Sequence, residues 1–218
     1  MIRPVTPVNA SGRDKAHQTR RRILLAAHAE FIEHGYDGAT IAGIARRAEV
    51  AAQTVYFVFH TKAQLISAAI DAAVLGEAPL APQQSEWWAA MESCPSAVDA
   101  LRIFIRGAGP VFARAARIAE VMRAAALADD EVAATRQRHD ELQRTGFAQV
   151  VDIISAKGPL RPGLDPDKAT DILLTLYGDN TYIQMTIVHA WSHDQYIEWM
   201  CDAAPRLLLD PGEQLPHD

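Results

Sequence analysis

The sequence predicts an all-α protein. Its 218 residues are rich in alanine, leucine and arginine, strand-like alternation is scarce, and apolar residues recur at helical spacing. Hydrophobic residues make up 49% and charged residues 22%, as in an ordinary globular chain long enough for a core in one or two domains.

The elements follow in order from these periods. Ile23, Ala26, Ala27 and Phe31 form one apolar stripe of a helix over 14–34, which Gly35 ends as a C′ residue. Thr40 is placed to cap a short helix whose inward face is Ile41, Ile44, Ala45 and Ala48, and Val50 plugs the turn after it. Residues 51–58 make a second short helix that buries Val55, with Phe59 just beyond. Thr61 and Gln64 read as a capping box opening a fourth helix, with Leu65, Ala68, Ala69 and Ala72 on its apolar side up to Gly76.

Residues 77–95 hold Pro79, Pro82, Pro95 and the pair Trp87–Trp88, so an ordered connector or broken helix is expected there. Helical pattern resumes at Ser96, and "GAGP" at 107–110 is expected to kink or end that helix before another reaches about Leu127. Acidic 129–131 open the next, with Val132, Thr135, His139, Leu142, Gly146, Val150 and Ile153 as its stripe, ended by Gly158. Asp165 and Pro166 start a helix expected to reach about Val188, and Ser192 with Gln195 box the last one, through Leu207. The count is about nine helices and no strands.

Charge is unevenly spread. Residues 1–62 carry nine Lys/Arg and five Asp/Glu, a net of +4, within a chain of net −6, so the remainder carries −10. A basic head on an acidic body suits a head that meets a polyanion. Cys94 and Cys201 lack metal-ligand spacing and are too few for a disulfide scaffold, which suits incidental thiols in a reducing cytosol. "MIRPVTPVNASG" has no apolar signal-peptide core, and "NTYIQMTIVHAWS" is too short and polar to span a bilayer. A cytoplasmic protein without a membrane partner is the expectation.

Two short helices joined by a tight turn and packed on a longer one are the parts of a helix-turn-helix. The polar cluster Gln53, Thr54, Tyr56 and Lys62 beside the basic "TRRR" (19–22) favours that over a plain helical hairpin, and Ala45 suits the helix crossing. The stretch "TRRRILLAAHAEFIEHGYDGATIAGIARRAEVAAQTVYFVFHTKAQL" resembles the DNA-binding domain of the TetR family of transcriptional regulators. The resemblance rests on Ile23, Ala26, Ala27, Phe31, Gly35, Tyr36, Thr40, Ile44, Ala45, Ala48, Val50, Thr54, Val55, Tyr56, Phe59, Lys62 and Leu65. "LRPGLDPDKATDILLTLYGDNTYIQM" and "WSHDQYIEWMCDAAPRLLL" are similar to one subset of that family. Glu49, Ala51 and Phe57 depart from its pattern, where glycine, serine and a second tyrosine are common. In a left-handed turn Glu49 costs about 1 kcal/mol against glycine, and Ala51 removes a cap.

This organisation gives a disordered arm over 1–12, a helix-turn-helix domain over 13–76, and an effector-binding and dimerisation domain over 77–218. Thr40 can offer its hydroxyl and neighbouring N–H groups to a phosphate, the role the resemblance also implies. Tyr56, Lys62, Arg20 and Arg21 are further candidates for the backbone. Gln53 can pair bidentately with adenine, and Ala52 and the Thr54 methyl can pack on thymine methyls; the competing reading of Gln53 is a surface amide in water. His60 either touches DNA or closes the turn.

A short recognition helix reads few base pairs, so a dimer on a near-palindrome is expected. Ile172, Leu176, Ile183 and Ile187, with Tyr196, Trp199, Met200 and Leu207, are the candidate four-helix dimer face. The alternative for these stripes is intramolecular core; the resemblance favours the dimer. The resemblance also implies release of operator DNA by a small-molecule effector, and repression as the outcome. Candidate lining residues are Trp87, Trp88, Phe104, Phe112, Met122, Tyr177, Asn180 and Gln184, and no cofactor is expected. An enzyme fares badly, since the eight histidines are scattered without a His-x-x-x-His or Glu-x-x-His pair on one helix. A constitutive DNA-binding or architectural dimer is the remaining alternative.

Overall fold

The computed structural model describes residues 10–76 and 81–212, and the architecture is all-α. Helix α1 (Ala10–Gly38) is followed by α2 (Ile41–Arg47), α3 (Ala52–Phe59) and α4 (Lys62–Leu75). A 3-10 turn (Pro82–Gln84) leads to α5 (Glu86–Ser93), α6 (Ala97–Ala125), α7 (Asp130–Ser155), α8 (Pro166–Leu176), α9 (Asp179–Ile183), a π turn (Gln184–Val188) and α10 (His193–Leu208). An isolated antiparallel bridge joins Leu160 to Leu209.

Local chemistry sets most helix ends. Thr40 accepts from the Gly43 N–H, Asp129 from those of Glu131 and Val132, and Asp165 from that of Lys168. Ser192 and Gln195 form the full reciprocal box, while Thr61 supplies its half by accepting from Gln64 N–H. Gly35 breaks α1 with φ +69°, and the chain runs on helically to Gly38. Of the arm expected over 1–12, residues 1–9 lie outside the described residues and 10–12 belong to α1. Residues 77–80, with Pro79, also lie outside.

Three expectations are corrected. "GAGP" does not end a helix: α6 runs unbroken for 29 residues through Pro110. Pro110 withholds a donor from the Arg106 carbonyl, but both residues are exposed, so water can replace it. The glycines serve close approach, since a Cβ on Gly107 would overlap Trp87, and one on Gly109 would come within 2.8 Å of Ile197. The helix expected over 165–188 is broken at Tyr177 and Gly178, so Asp179 and Asn180 open α9 and are not mid-helix. Leu142, placed on the inward stripe of α7, is 72% exposed; Phe147, Val151 and Ile154 are buried instead.

Two apolar cores result. The first joins Phe31, Ile44, Val55, Phe59, Leu65 and Ile70 to Ile118 and Met122 of α6 and Val132 of α7. The second is built on α5–α10 and is aromatic: Phe104 lies 5.4 Å from Phe147 and 5.6 Å from Tyr177, Phe112 4.7 Å from Tyr177, and Tyr182 5.3 Å from Tyr196. Helix α6 contributes to both.

Candidate nucleic-acid interface

Helix α3 is held by one face and free on the other. Val55 and Phe59 are buried, while Ala52, Gln53, Tyr56 and Phe57 are exposed, the last by 80%. Gln53, Tyr56 and Phe57 stand at i, i+3 and i+4, so they form one outward stripe. Thr54 is half-buried at its edge. Phe57 was not among the predicted contacts, although its spacing from Gln53 carried the signal.

The turn before α3 is tight. Val50 N–H donates to the Ala45 carbonyl at 3.0 Å, and half-buried Val50 packs on the head core. Glu49 takes φ +54°, the left-handed conformation for which glycine is the low-cost residue. Ala51 caps α3 without a side-chain bond. His60 closes the other end with φ +54°, its N–H donating to the Tyr56 carbonyl.

Helix α2 is fastened to α1 by charge. Glu30 is buried and receives Arg47 Nε at 3.3 Å, and the same guanidinium reaches Glu33. The hydrogen bond from Arg47 holds the Glu33 carboxyl below its ordinary range. Gly43 lies against Glu30 so closely that an added Cβ would overlap the carboxylate. Together with Ala45, buried at the crossing, these contacts set the angle at which α3 is offered.

The other predicted head residues stand on the neighbouring elements, Arg20 and Arg21 on α1, Thr40 capping α2 and Lys62 opening α4. Thr40 is exposed at the N-terminus of α2, its oxygen already accepting from Gly43. Lys62 sits 4.4 Å over the Tyr36 ring, and the Arg20 guanidinium 4.5 Å over that of Phe59. Arg22 pairs loosely with Glu49 at 4.0 Å. Arg20 and Arg21 also line a groove between α1, α4 and α6.

The predicted effector residues are brought together only in part. Trp87, Trp88, Phe104, Phe112 and Tyr177 share the second core, but they stack on one another with Phe147, Tyr182 and Tyr196. Met122 lies in the other core, and Asn180 and Gln184 are exposed, Gln184 near His189 at 3.3 Å. The separation of Met122 follows from the length of α6, which carries it past the aromatic cluster. Tyr177 donates to the Ile105 carbonyl and Tyr196 to that of Leu176, so their hydroxyls are satisfied within the chain.

The predicted dimer set divides likewise. Tyr196 and Met200 are fully buried and Ile183 is 8% exposed, so these three belong to the core and present no face to a partner. Ile172, Leu176 and Trp199 are half-buried, and Ile187 and Leu207 exposed. Among the described residues no group of three His, Cys, Asp or Glu could hold a metal ion, and no helix is long and apolar enough to cross a membrane. Burial raises the Cys201 thiol above its usual pKa.

A capped positioning helix, a tight turn and a half-exposed second helix define a helix-turn-helix DNA-binding protein. Residues 23–69 match the family model described as bacterial regulatory proteins, tetR family. The match spans the head, from within α1 into α4, and gives it the character of that family's DNA-binding domain. No curated protein matches the sequence. Similar folds include a tetR-family transcriptional regulator from Rhodococcus sp. (17% identity, TM-score 0.69), covering 88% of this chain and 99% of that one. NalD of Pseudomonas aeruginosa, the secondary repressor of the MexAB-OprM multidrug efflux pump, is 23% identical with TM-score 0.65 over 90% and 99% of the two chains. FadR of Bacillus subtilis, in complex with stearoyl-CoA, is 17% identical with TM-score 0.67 over 87% and 97%.

Proposed function

We propose that the protein is a repressor that binds a near-palindromic operator as a homodimer and is released by a small molecule. The carrying observation is the split of α3 into a buried side, Val55 and Phe59, and an outward stripe, Gln53, Tyr56 and Phe57. With Ala52 and Thr54 at its start, α3 enters the major groove, where Gln53 reads a base. Thr40, Tyr56, Lys62, Arg20 and Arg21 hold phosphates and fix the register. Dimerisation through Ile172, Leu176, Ile187, Trp199 and Leu207 would place two heads on half-sites about 34–36 Å apart or a multiple of that. The division into a DNA-binding head over 13–76 and a sensing body beyond it belongs to this same reading. NalD is a repressor and FadR was captured with an acyl-CoA, which supports repression and small-molecule sensing as the role of this fold.

The test is selection of bound duplexes from a random pool by the full chain, followed by gel-shift titration at several salt concentrations. Enrichment of a palindrome, bound two chains to one duplex, is expected. No preference over random competitor would end the reading. One observation favours the constitutive alternative: the aromatic residues picked to line an effector cavity pack against each other. Screening small molecules for a rise in thermal midpoint separates the two, because a bound effector stabilises the folded state.

A further inference from the structure

A groove of about 740 Å³ runs between α1, α4 and α6, within the size range of small-molecule sites. Its floor is apolar, with Leu24 and Ile32 of α1 against Ala69 and Ala73 of α4. Its rim is cationic. Arg20 and Arg21 of α1 face Arg114 and Arg117 of α6, and Asp71 of α4, itself faced by Arg20, is the carboxylate among the described lining residues.

The groove is built as well as charged. Arg114 Nε donates to the Ala73 carbonyl at 2.9 Å and Nη2 to that of Val74 at 3.4 Å, which fixes the guanidinium against the C-terminus of α4. Gly76 makes room for it, since a Cβ there would come within 3.1 Å of Nη2. His28 Nε2 lies 3.0 Å from the Arg114 carbonyl and ties α1 to α6. Leu25, 61% exposed, extends the apolar lining to the mouth.

We propose that this groove binds an organic anion with an apolar body, its acidic group among the α1 and α6 arginines and its body on the α1–α4 floor. A polyanion without apolar parts would leave the floor wet, and a neutral hydrophobe would make no use of the arginines on the rim. Because α1 carries the DNA-reading head and α6 runs into the body, an anion here also draws on Arg20 and Arg21. As the seat of the effector the groove rests on the sensing role proposed above; as a binding site it does not.

The experiment is calorimetric titration of the full, DNA-free chain with octanoate, 1-octanol and inorganic phosphate. Octanoate is expected to saturate one site per chain, with octanol and phosphate weaker by about tenfold or more. Arg117→Glu and Ala113→Trp, both at exposed positions of α6, are expected to weaken octanoate by a similar factor while leaving the ligand-free thermal midpoint in place. Absent saturation, equal binding of octanol, equal binding of phosphate, or octanoate binding unchanged in both variants would each overturn the proposal. Octanoate that binds through the groove but leaves an operator complex intact would instead sink the sensing role and keep the site.

Discussion

The Tyr36 hydroxyl donates to Asp129 at 3.2 Å, and that same carboxylate caps α7 by accepting from Glu131 and Val132 N–H groups. Beside it, Thr61 caps α4 and donates to Glu131 at 2.8 Å. The head is thus latched to the start of α7 by two hydroxyls, and the Tyr36 ring carries Lys62 on its face. Tyr36→Phe keeps the ring and removes the bond. It should lower unfolding free energy by about 0.5–1.5 kcal/mol in a denaturant titration, and an unchanged midpoint would show that the latch carries no stability.

Alkaline stability follows from four tyrosines. Tyr36, Tyr177, Tyr182 and Tyr196 all have raised pKa values, chiefly because burial disfavours the phenolate. The folded state therefore holds more protons than the unfolded state once pH passes the ordinary tyrosine value of about 10. Stability should be level below that pH and fall above it, read as the unfolding midpoint against pH.

Gly43→Ala should damage the head. The new methyl meets the buried Glu30 carboxylate, which Arg47 holds in place, so α2 must shift or the ion pair must open. Overpacking of this kind costs about 1–3 kcal/mol. A loss of DNA affinity larger than the loss of folded fraction would mark a change in the angle of α3.

Glu49→Gly should act in the opposite direction. Relief of the left-handed conformation is worth about 1–2 kcal/mol, and extra freedom in the unfolded chain takes back about 0.4–1. The Arg22 pair it deletes is exposed and long, and contributes little. A small rise in thermal midpoint is expected; a fall would mean that the turn depends on the Glu49 side chain.

Two DNA variants separate holding from reading. Lys62→Ala should weaken binding to all duplexes and flatten its salt dependence by about one phosphate contact. Gln53→Ala should relax preference at one base pair, by about 1–3 kcal/mol, with the salt slope intact. Gel shifts on a permuted operator set distinguish the outcomes, and identical profiles for both variants would refute the division of labour.

What the sequence made legible was mostly local. Thr40, Asp165 and Ser192 act on backbone groups three residues away, so their caps could be placed without knowing the fold. The buried side of α3 was legible for the same reason, because Val55 and Phe59 are one turn apart. Pro110 and Gly178 misled because their environment is distant in sequence: Gly109 answers to Ile197, and the break after Leu176 accompanies a bond from Tyr177 to Ile105. Periodicity marked Tyr196 and Met200 as apolar, but could not say whether the surface they cover was their own. The α1–α4–α6 groove was hidden altogether, since Arg20 and Arg114 meet only after folding.

Helix α6 extends about 43 Å by its 29 residues, with Met122 in the core of the head and Phe104 in the aromatic cluster. A single helix seated in both cores joins them mechanically. Its one missing rung, where Pro110 leaves the Arg106 carbonyl to water, lies between the two seats, so any bend that passes from one end to the other is set there.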